Sequence, residues 1–425
     1  MKAKAVRLHG ANDLRLDDIE LPAIGDDEIL ARVVSDSICM SSYKATIQGS
    51  KHKRIPENIG DKPIIIGHEL SGEILEVGST WSDQFKPGQR FSIQPALNYP
   101  GNMDGMGAPG YSYEYIGGDA THVIIPKEVM ELGCLLAYDG PAFYLASLAE
   151  PVSCIVGTFH AQYHTEKYKY VHTMGIVPGG KMAILAGAGP MGMGAIDYAV
   201  HNPDARPGLL VVTDIDQARL DRAASIYTPE DAREFGVDLR YVNTAAVDDP
   251  VAHLRELTGG DGYDDAMVFA PVPVLFEQAD AILGFDGCLN FFAGPTDPTI
   301  SAKINLYDIH YASHHIVGTS GGSTEDMIES LDLMGKGLLN PSAMITHVGG
   351  LNAVAETTKN LPKIPGGKKL MYTNVDLELT AIADFPEKGK SDPFFAALAE
   401  ITDRNGGLWS PEAEKYLLEH AKPIL

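Results

Sequence analysis

Four residues of this chain carry side chains that together would hold a metal ion: Cys39, His68, Glu69 and Glu150. A thiolate, an imidazole and carboxylates suit a tetrahedral zinc that keeps one position open for a substrate oxygen, which is the design of a catalytic zinc site. His68 and Glu69 stand in the run Gly67-His68-Glu69-Leu-Ser-Gly72, and Glu150 with Pro151 opens a helix-like segment. Taken singly, each has a plainer explanation: Cys39 as a small core residue, His68 as a satisfied buried histidine, Glu150 as an acid on a helix dipole. Only the set argues for chemistry. The other cysteines, Cys134, Cys154 and Cys288, are scattered without a close-spaced pair. Neither a disulfide framework nor a four-cysteine zinc knot is suggested, and a reducing compartment fits.

A second constellation is contiguous. The strand-like run Met182–Ala186 leads into Gly187-Ala-Gly189-Pro190-Met191-Gly192, followed by an Ala- and Met-rich helical pattern. A pyrophosphate needs such a turn: the backbone bends sharply, approaches the phosphates without a Cβ, and presents free amides at a helix N-terminus. The next strand-like run, Leu209–Thr213, ends in Asp214, 22 residues past Gly192. A carboxylate there accepts both ribose hydroxyls and repels a 2′-phosphate, favouring NAD(H). Asp216 and Arg219 nearby leave use of NADP(H) open.

These sites require particular elements around them. Residues 1 to about 155 read as short strands broken by Gly, Pro and Asp clusters: Glu28–Val34, Pro63–Ile66, Gly72–Val77 and Thr121–Ile125. From residue 181 onward, apolar strands alternate with helical periods: Met182–Ala186, Leu209–Thr213, Asp238–Val242, Asp265–Ala270, Cys288–Ala293 and Ile316–Gly318. Such strands with helical crossovers imply a doubly wound parallel sheet. Residues 161–178, rich in His, Tyr and Lys, read as an insertion at the domain junction. After Tyr372 two helices are expected, Asp392–Asp403 and Ser410–Ala421, the second with a capping serine and a first-turn proline.

At 425 residues the chain exceeds what one core serves, since cores stop growing near roughly 250 to 300 residues. Apolar residues at 44% and charged residues at 21% fit a folded globular protein. The formal charge of -24 argues against a nucleic-acid surface. No apolar run reaches the roughly 18 residues that span a bilayer, and the N-terminus has no signal-like core, so no membrane partner and a cytoplasmic location are expected.

Together these segments resemble the zinc-dependent medium-chain dehydrogenase/reductase family, in its polyol-dehydrogenase-like branch. The resemblance covers about residues 1 to 373. It also rests on Lys86-Pro-Gly88-Gln-Arg90, Thr258-Gly-Gly-Asp-Gly-Tyr-Asp264 and Asp286-Gly-Cys-Leu-Asn-Phe-Phe-Ala-Gly-Pro295. It implies an α/β protein: a GroES-like β-rich catalytic domain plus a Rossmann doubly wound parallel-sheet domain. The expected boundaries are 1–157 for the first part of the catalytic domain, 158–318 for the nucleotide-binding domain, 319–373 for the catalytic return segment and 374–425 for a helical extension. A homo-oligomer, dimer or tetramer, is the expected assembly. In that family a Cys, a His and a Glu hold one catalytic zinc with a further acid near, which here implies Cys39, His68, Glu150 and Glu69. Relatives often carry Cys-Gly-Ser/Thr-Asp-x-His, whose hydroxyl and imidazole relay the alcohol proton. Here Cys39-Met40-Ser41-Ser42-Tyr43-Lys44 keeps the hydroxyl in Ser41 but puts Lys44 where the imidazole stood. Nothing between Cys39 and Cys134 is a cysteine, so the structural zinc of many relatives is expected to be missing.

The resemblance further implies carbohydrate metabolism: reduction of a ketose phosphate, of the L-sorbose 1-phosphate kind, to an alditol phosphate, reversibly. Zinc would polarise the carbonyl as hydride arrives, and Ser41 would deliver the proton. The nicotinamide is expected at the domain cleft near Phe292, Ala293, Thr319 and Ser320. A phosphate needs local cations in so acidic a chain. Lys44 with Lys51, Lys53 and Arg54 are the candidates, whereas Lys363, Lys368 and Lys369 read as solvated surface charge. Other readings are a dehydrogenase of unphosphorylated polyols, a zinc-free quinone-reductase-like enzyme, and a non-catalytic nucleotide-binding protein.

Overall fold

The computed structural model describes residues 1–98, 105–166 and 169–424, and the chain divides into two units. One holds Met1–Pro151, Ser323–Gly337 and Pro341–Leu425; the other holds Val152–Gly322 and Leu338–Asn340.

In the second unit, among the described residues, six parallel strands lie in the order Asp238–Asn243, Leu209–Asp214, Lys181–Leu185, Tyr263–Val268, Leu283–Phe291, His315–Gly318. Each expected strand is present within a few residues. Their apolar runs are nearly continuous because a parallel sheet is covered on both faces, and Met182 to Leu185 and Leu210 to Val212 are fully buried. The strand order reverses beside Lys181–Leu185, the first strand of the sheet in the chain and the one that feeds the glycine-rich turn. That is the switch point where open α/β sheets bind ligands. The His- and Tyr-rich stretch forms an antiparallel hairpin, Tyr163–Thr165 with His172–Met174; within the expected 161–178 insertion, residues 167 and 168 lie outside the described residues. Asp286 accepts the Thr165 N–H at 2.7 Å and His164 Nε2 lies 3.1 Å from Asp265, so the hairpin is tied to the sheet.

In the first unit an eight-stranded sheet runs, among the described residues, Thr380–Ala381, Ile345–Gly350, Lys368–Tyr372, Ile29–Ile38, Leu70–Val77, Arg90–Ile93, Leu135–Ala137, with His122–Ile125 also paired to Ile29–Ile38. Lys2–Gly10, Asp13–Glu20 and Ile64–Ile65 form a smaller sheet, and Ala5, Ile29, Val33, Ile65, Ile74 and Phe91 pack between the two. Register is what matters for function. Asp36 pairs with Leu70, and the Ser37 N–H donates to the Glu69 carbonyl at 3.2 Å, so the end of one strand is drawn to the start of its neighbour. Cys39 follows the first strand and Glu69 precedes the second.

One expectation is overturned here. Lys368 and Lys369 are not surface charge: they open the strand Lys368–Tyr372 and are 7% and 2% exposed. Their alkyl stems pack into the sheet while each ammonium finds acceptors. Lys369 donates to the carbonyls of Pro365 and Gly367 at 2.9 and 2.6 Å, and Lys368 pairs with Glu69.

The residues after 373 form helices Pro393–Arg404 and Pro411–His420 where helices are expected. Asp392 caps the first by accepting the Phe394 N–H, and Ser410 caps the second by accepting the Ala413 N–H. The strand Thr380–Ala381 of this tail adds to the edge of the large sheet. No helix of the described residues is long and apolar enough to cross a membrane.

Candidate active site

The metal-ligating atoms of Cys39, His68 and Glu69 lie within 4.8 Å of one another. Cys39 is the residue before helix Met40–Gln48, at whose N-terminus the dipole favours a thiolate. Burial nonetheless pushes its thiol up, while the charge of Lys368 draws it down. Gly67 sets the turn before His68: its φ is +90°, and a Cβ there would meet the Asp119 backbone nitrogen at 2.8 Å. His68 is 4% exposed, and burial lowers its imidazole, so it offers the neutral ring that a metal requires. Its Nδ1 lies 3.3 Å from the Ser42 hydroxyl.

Around His68 Nε2 stand two hydroxyls, Ser41 at 3.2 Å and Tyr111 at 3.3 Å, and Ser41 also donates to Cys39 Sγ at 3.0 Å. Ser41 is thus where the sequence places it. Tyr111 was not foreseen. It comes from the irregular segment before strand His122–Ile125, where nothing in the local pattern marks it.

Glu69 is fully buried; Lys368 and the Ser37 hydroxyl bond to its two carboxylate oxygens, and its N–H donates to Asp36 at 3.0 Å. Burial opposes the charge on Lys368, but Glu69, Cys39 and Glu150 more than offset this and hold it above the usual lysine range. Behind Glu69, Asp36 and Asp119 form a buried carboxyl pair. Burial pushes Asp119 up to about 8 and, with the charges of Asp119 and Glu69, raises Asp36. Burial thus works against both of these carboxyls being charged beside Glu69. Glu150, in the first turn of helix Ala149–His160, is pushed up to about 7 by burial against the attraction of His68. Its carboxylate lies within electrostatic reach of His68, Glu69, Cys39 and Lys368. A soft thiolate, an imidazole and two acids fit zinc, and Lys368 keeps the three potential negative charges of Cys39, Glu69 and Glu150 from gathering uncompensated.

The basic cluster divides. Lys51 is exposed at the end of the turn Gly49–Lys51. Arg54 lies 5.8 Å from the Tyr111 ring centroid, donates to the Met106 carbonyl at 3.1 Å, and its charge reaches His68. His52 stacks on Tyr111 at 5.9 Å, and burial, then the charges of Arg54, Lys53 and Lys44, pushes its imidazole down.

In the second unit each glycine of the nucleotide turn has its own spatial reason. A Cβ on Gly187 would meet Ile184 and Val212 at 2.7 and 2.8 Å, and one on Gly192 would meet the Gly187 carbonyl at 2.1 Å. A Cβ on Gly189 would meet nothing within 4 Å, the open side from which a phosphate approaches. Gly189 precedes helix Pro190–His201, with Pro190 at its first position and Met191 following in the first turn. Asp214 is 6% exposed, and its oxygens accept the N–H groups of Ile215, Asp216 and Ala188 at 2.8, 3.1 and 3.3 Å. Arg219 is paired with Asp216 at 3.7 Å, on the helix that Asp216 caps. Phe292 and Ala293 follow strand Leu283–Phe291, and both donate to the Val268 carbonyl. Thr319 and Ser320 follow strand His315–Gly318, with Thr319 hydroxyl-bonded to Asn290 and Thr158. All stand at carboxyl ends of parallel strands, as the glycine turn and Asp214 do.

Residues 25–132 match the alcohol dehydrogenase GroES-like domain family, and residues 190–336 the zinc-binding dehydrogenase family. The chain is 54% identical to a mannitol-1-phosphate 5-dehydrogenase of Aliivibrio fischeri, over 96% of each sequence. It is 48% identical to an L-sorbose 1-phosphate reductase of Klebsiella pneumoniae, over 99% of this chain and 98% of that one. The crystal structure of a 2R,3R-butanediol dehydrogenase from Bacillus subtilis matches with a TM-score of 0.69 at 23% identity, over 88% of this chain and 100% of the other, a likeness of fold.

Proposed function

Because this chain belongs to the zinc-binding dehydrogenase family, we propose that it moves a hydride between a nicotinamide cofactor and a sugar phosphate, reducing a ketose 1-phosphate to an alditol phosphate and running in reverse. The observation that carries the chemistry is the convergence of Cys39, His68 and Glu69 within 4.8 Å. Cys39 and His68, with Glu150 or Glu69, would hold one zinc, which when bound supplies Lewis acidity to a substrate oxygen. Ser41, between Cys39 Sγ and His68 Nε2, holds a hydroxyl proton where that oxygen would arrive. The turn Gly187–Gly192 would bind the pyrophosphate, and Asp214 the ribose of NAD(H).

The phosphate reading draws on two relatives of about half identity over nearly the whole chain, both named for a 1-phosphate. It also draws on the basic group beside His68. Arg54 is favoured over Lys51, because its charge reaches His68 and Tyr111 whereas Lys51 is exposed. A charge-assisted hydrogen bond of about 1.5 to 3 kcal/mol corresponds to roughly tenfold to 150-fold in kcat/KM. Steady-state rates with L-sorbose 1-phosphate and L-sorbose test this. Arg54→Gln should cost the phosphorylated ketose that factor and leave the free ketose nearly unchanged. Equal turnover of the two ketoses by the unaltered enzyme would show a plain polyol dehydrogenase instead.

A further inference from the structure

We propose that the residues after 373 support the metal site, with Glu414 as a positioning residue that fixes where Glu150 stands; this rests on the metal reading above. Glu414 lies on helix Pro411–His420 and is 3% exposed. Its carboxylate accepts the backbone N–H groups of Phe143 and Tyr144 at 2.6 and 2.8 Å and the Tyr372 hydroxyl at 3.0 Å. The Trp409 indole donates to the same Tyr372 oxygen at 2.8 Å.

Phe143 and Tyr144 begin helix Phe143–Ser147, whose preceding residue, Ala142, has no side chain able to cap it. The orphan amides of this first turn are satisfied by a carboxylate some 270 residues further along the chain. Leu148 donates to Tyr144, and helix Ala149–His160 starts at the next residue. Glu150 therefore sits a short distance beyond the two amides that Glu414 holds, across the single turn residue Leu148 that separates the two helices. Tyr372 ends the strand that Lys368 begins, and Lys368 pairs with Glu69. One buried carboxylate thus grips both the approach to Glu150 and the strand that neutralises Glu69. Burial pushes the Glu414 carboxyl up, while the Phe143 and Tyr144 amides, the Tyr372 hydroxyl and the charge of Arg90, which lies 4.5 Å from the Phe143 ring centroid and bonds to the Gly140 carbonyl, draw it partly back.

A carboxylate with both oxygens engaged cannot be replaced by an amide, which keeps one acceptor and adds a donor where N–H groups already point. Glu414→Gln in the full chain should weaken zinc retention about tenfold in chelator competition, the lower range for residues that orient metal ligands. It should also shift the visible spectrum of the cobalt-substituted protein, and Glu150→Gln added to it should cost little more zinc affinity. Glu414→Asp should recover part of the loss. A variant that unfolds at lower urea but keeps the parent's zinc affinity and cobalt spectrum would show a merely structural cap and overturn the proposal. If Glu414→Gln does not fold, Trp409→Phe, which removes one hydrogen bond to Tyr372, is read the same way. A parent chain that takes up no zinc overturns the metal reading itself, and this proposal with it.

Discussion

The nucleotide turn draws on consecutive residues from Met182 to Gly192 and on Asp214 at the end of the next strand, all within one βαβ unit. The metal group is assembled otherwise: Cys39 after one strand, His68 and Glu69 before its neighbour, Glu150 on a helix, Lys368 from a strand some 300 residues beyond Glu69, and Glu414 later still. The difference follows from what is bound. A pyrophosphate is satisfied by backbone amides that a short local turn presents, so its site demands only glycines and a helix start. A metal needs charged side chains brought together in a buried place, and each uncompensated charge there is costly, so partners must come from wherever the fold passes.

The sharpest way to separate the two regions is to remove a metal ligand. Cys39→Ala should abolish zinc binding and lower kcat/KM by at least about three orders of magnitude, the several kcal/mol that a Lewis acid contributes. NADH affinity, measured by fluorescence titration, should stay within about twofold, because the glycine turn and Asp214 share no residue with the metal group. Full activity in this variant would remove the metal from the reaction, and a parallel loss of NADH binding would deny that the regions are independent.

A second break touches stability. Lys368→Met leaves Glu69 buried without its cation, and losing one partner of such a pair costs about 3 to 5 kcal/mol. Urea unfolding of the metal-free protein should show that loss, and Lys368→Met with Glu69→Gln should recover much of it, since both charges are then gone. If the single variant is as stable as the parent, Glu69 is compensated elsewhere, with the Ser37 hydroxyl the partner at hand.

The contrast also explains what could be read in advance. The alternation of strands and helices, the glycine turn and the acid at Asp214 were legible because residue type and spacing along a short stretch determine them. Cys39, His68 and Glu69 were legible as types, and sheet register brings them together. Lys368 and Lys369 were misread, because a lysine pair after Pro365-Gly366-Gly367 has the local look of a solvated loop. Only the neighbouring strands Ile29–Ile38 and Ile345–Gly350 turn it into buried sheet. Tyr111 and Glu414 carried no local signal, since what ties Tyr111 to His68 and Glu414 to the helix before Glu150 is a contact across 43 and about 270 residues respectively.

The smallest effect tests the local region from within. Asp214 has one role in the structure and a second in the proposal: its carboxylate accepts the Ala188 N–H inside the turn, and on the reading proposed above it would also bind the ribose hydroxyls. Asp214→Ala disturbs both. Loosening the turn weakens NADH and NADPH alike, because both carry the same pyrophosphate, so that component cancels in the ratio of their kcat/KM values. What remains is specific to the ribose: lost hydrogen bonds to the NADH hydroxyls, about 0.5 to 1.5 kcal/mol each, and relief of repulsion against a 2′-phosphate. The ratio should therefore move toward NADPH by about tenfold, with Arg219, paired with Asp216 on the following helix, the nearest cation by sequence for the added phosphate. Both cofactors weakening in step, with the ratio unchanged, would mean that Asp214 serves the turn alone and that the residue reading the ribose lies elsewhere in the second unit.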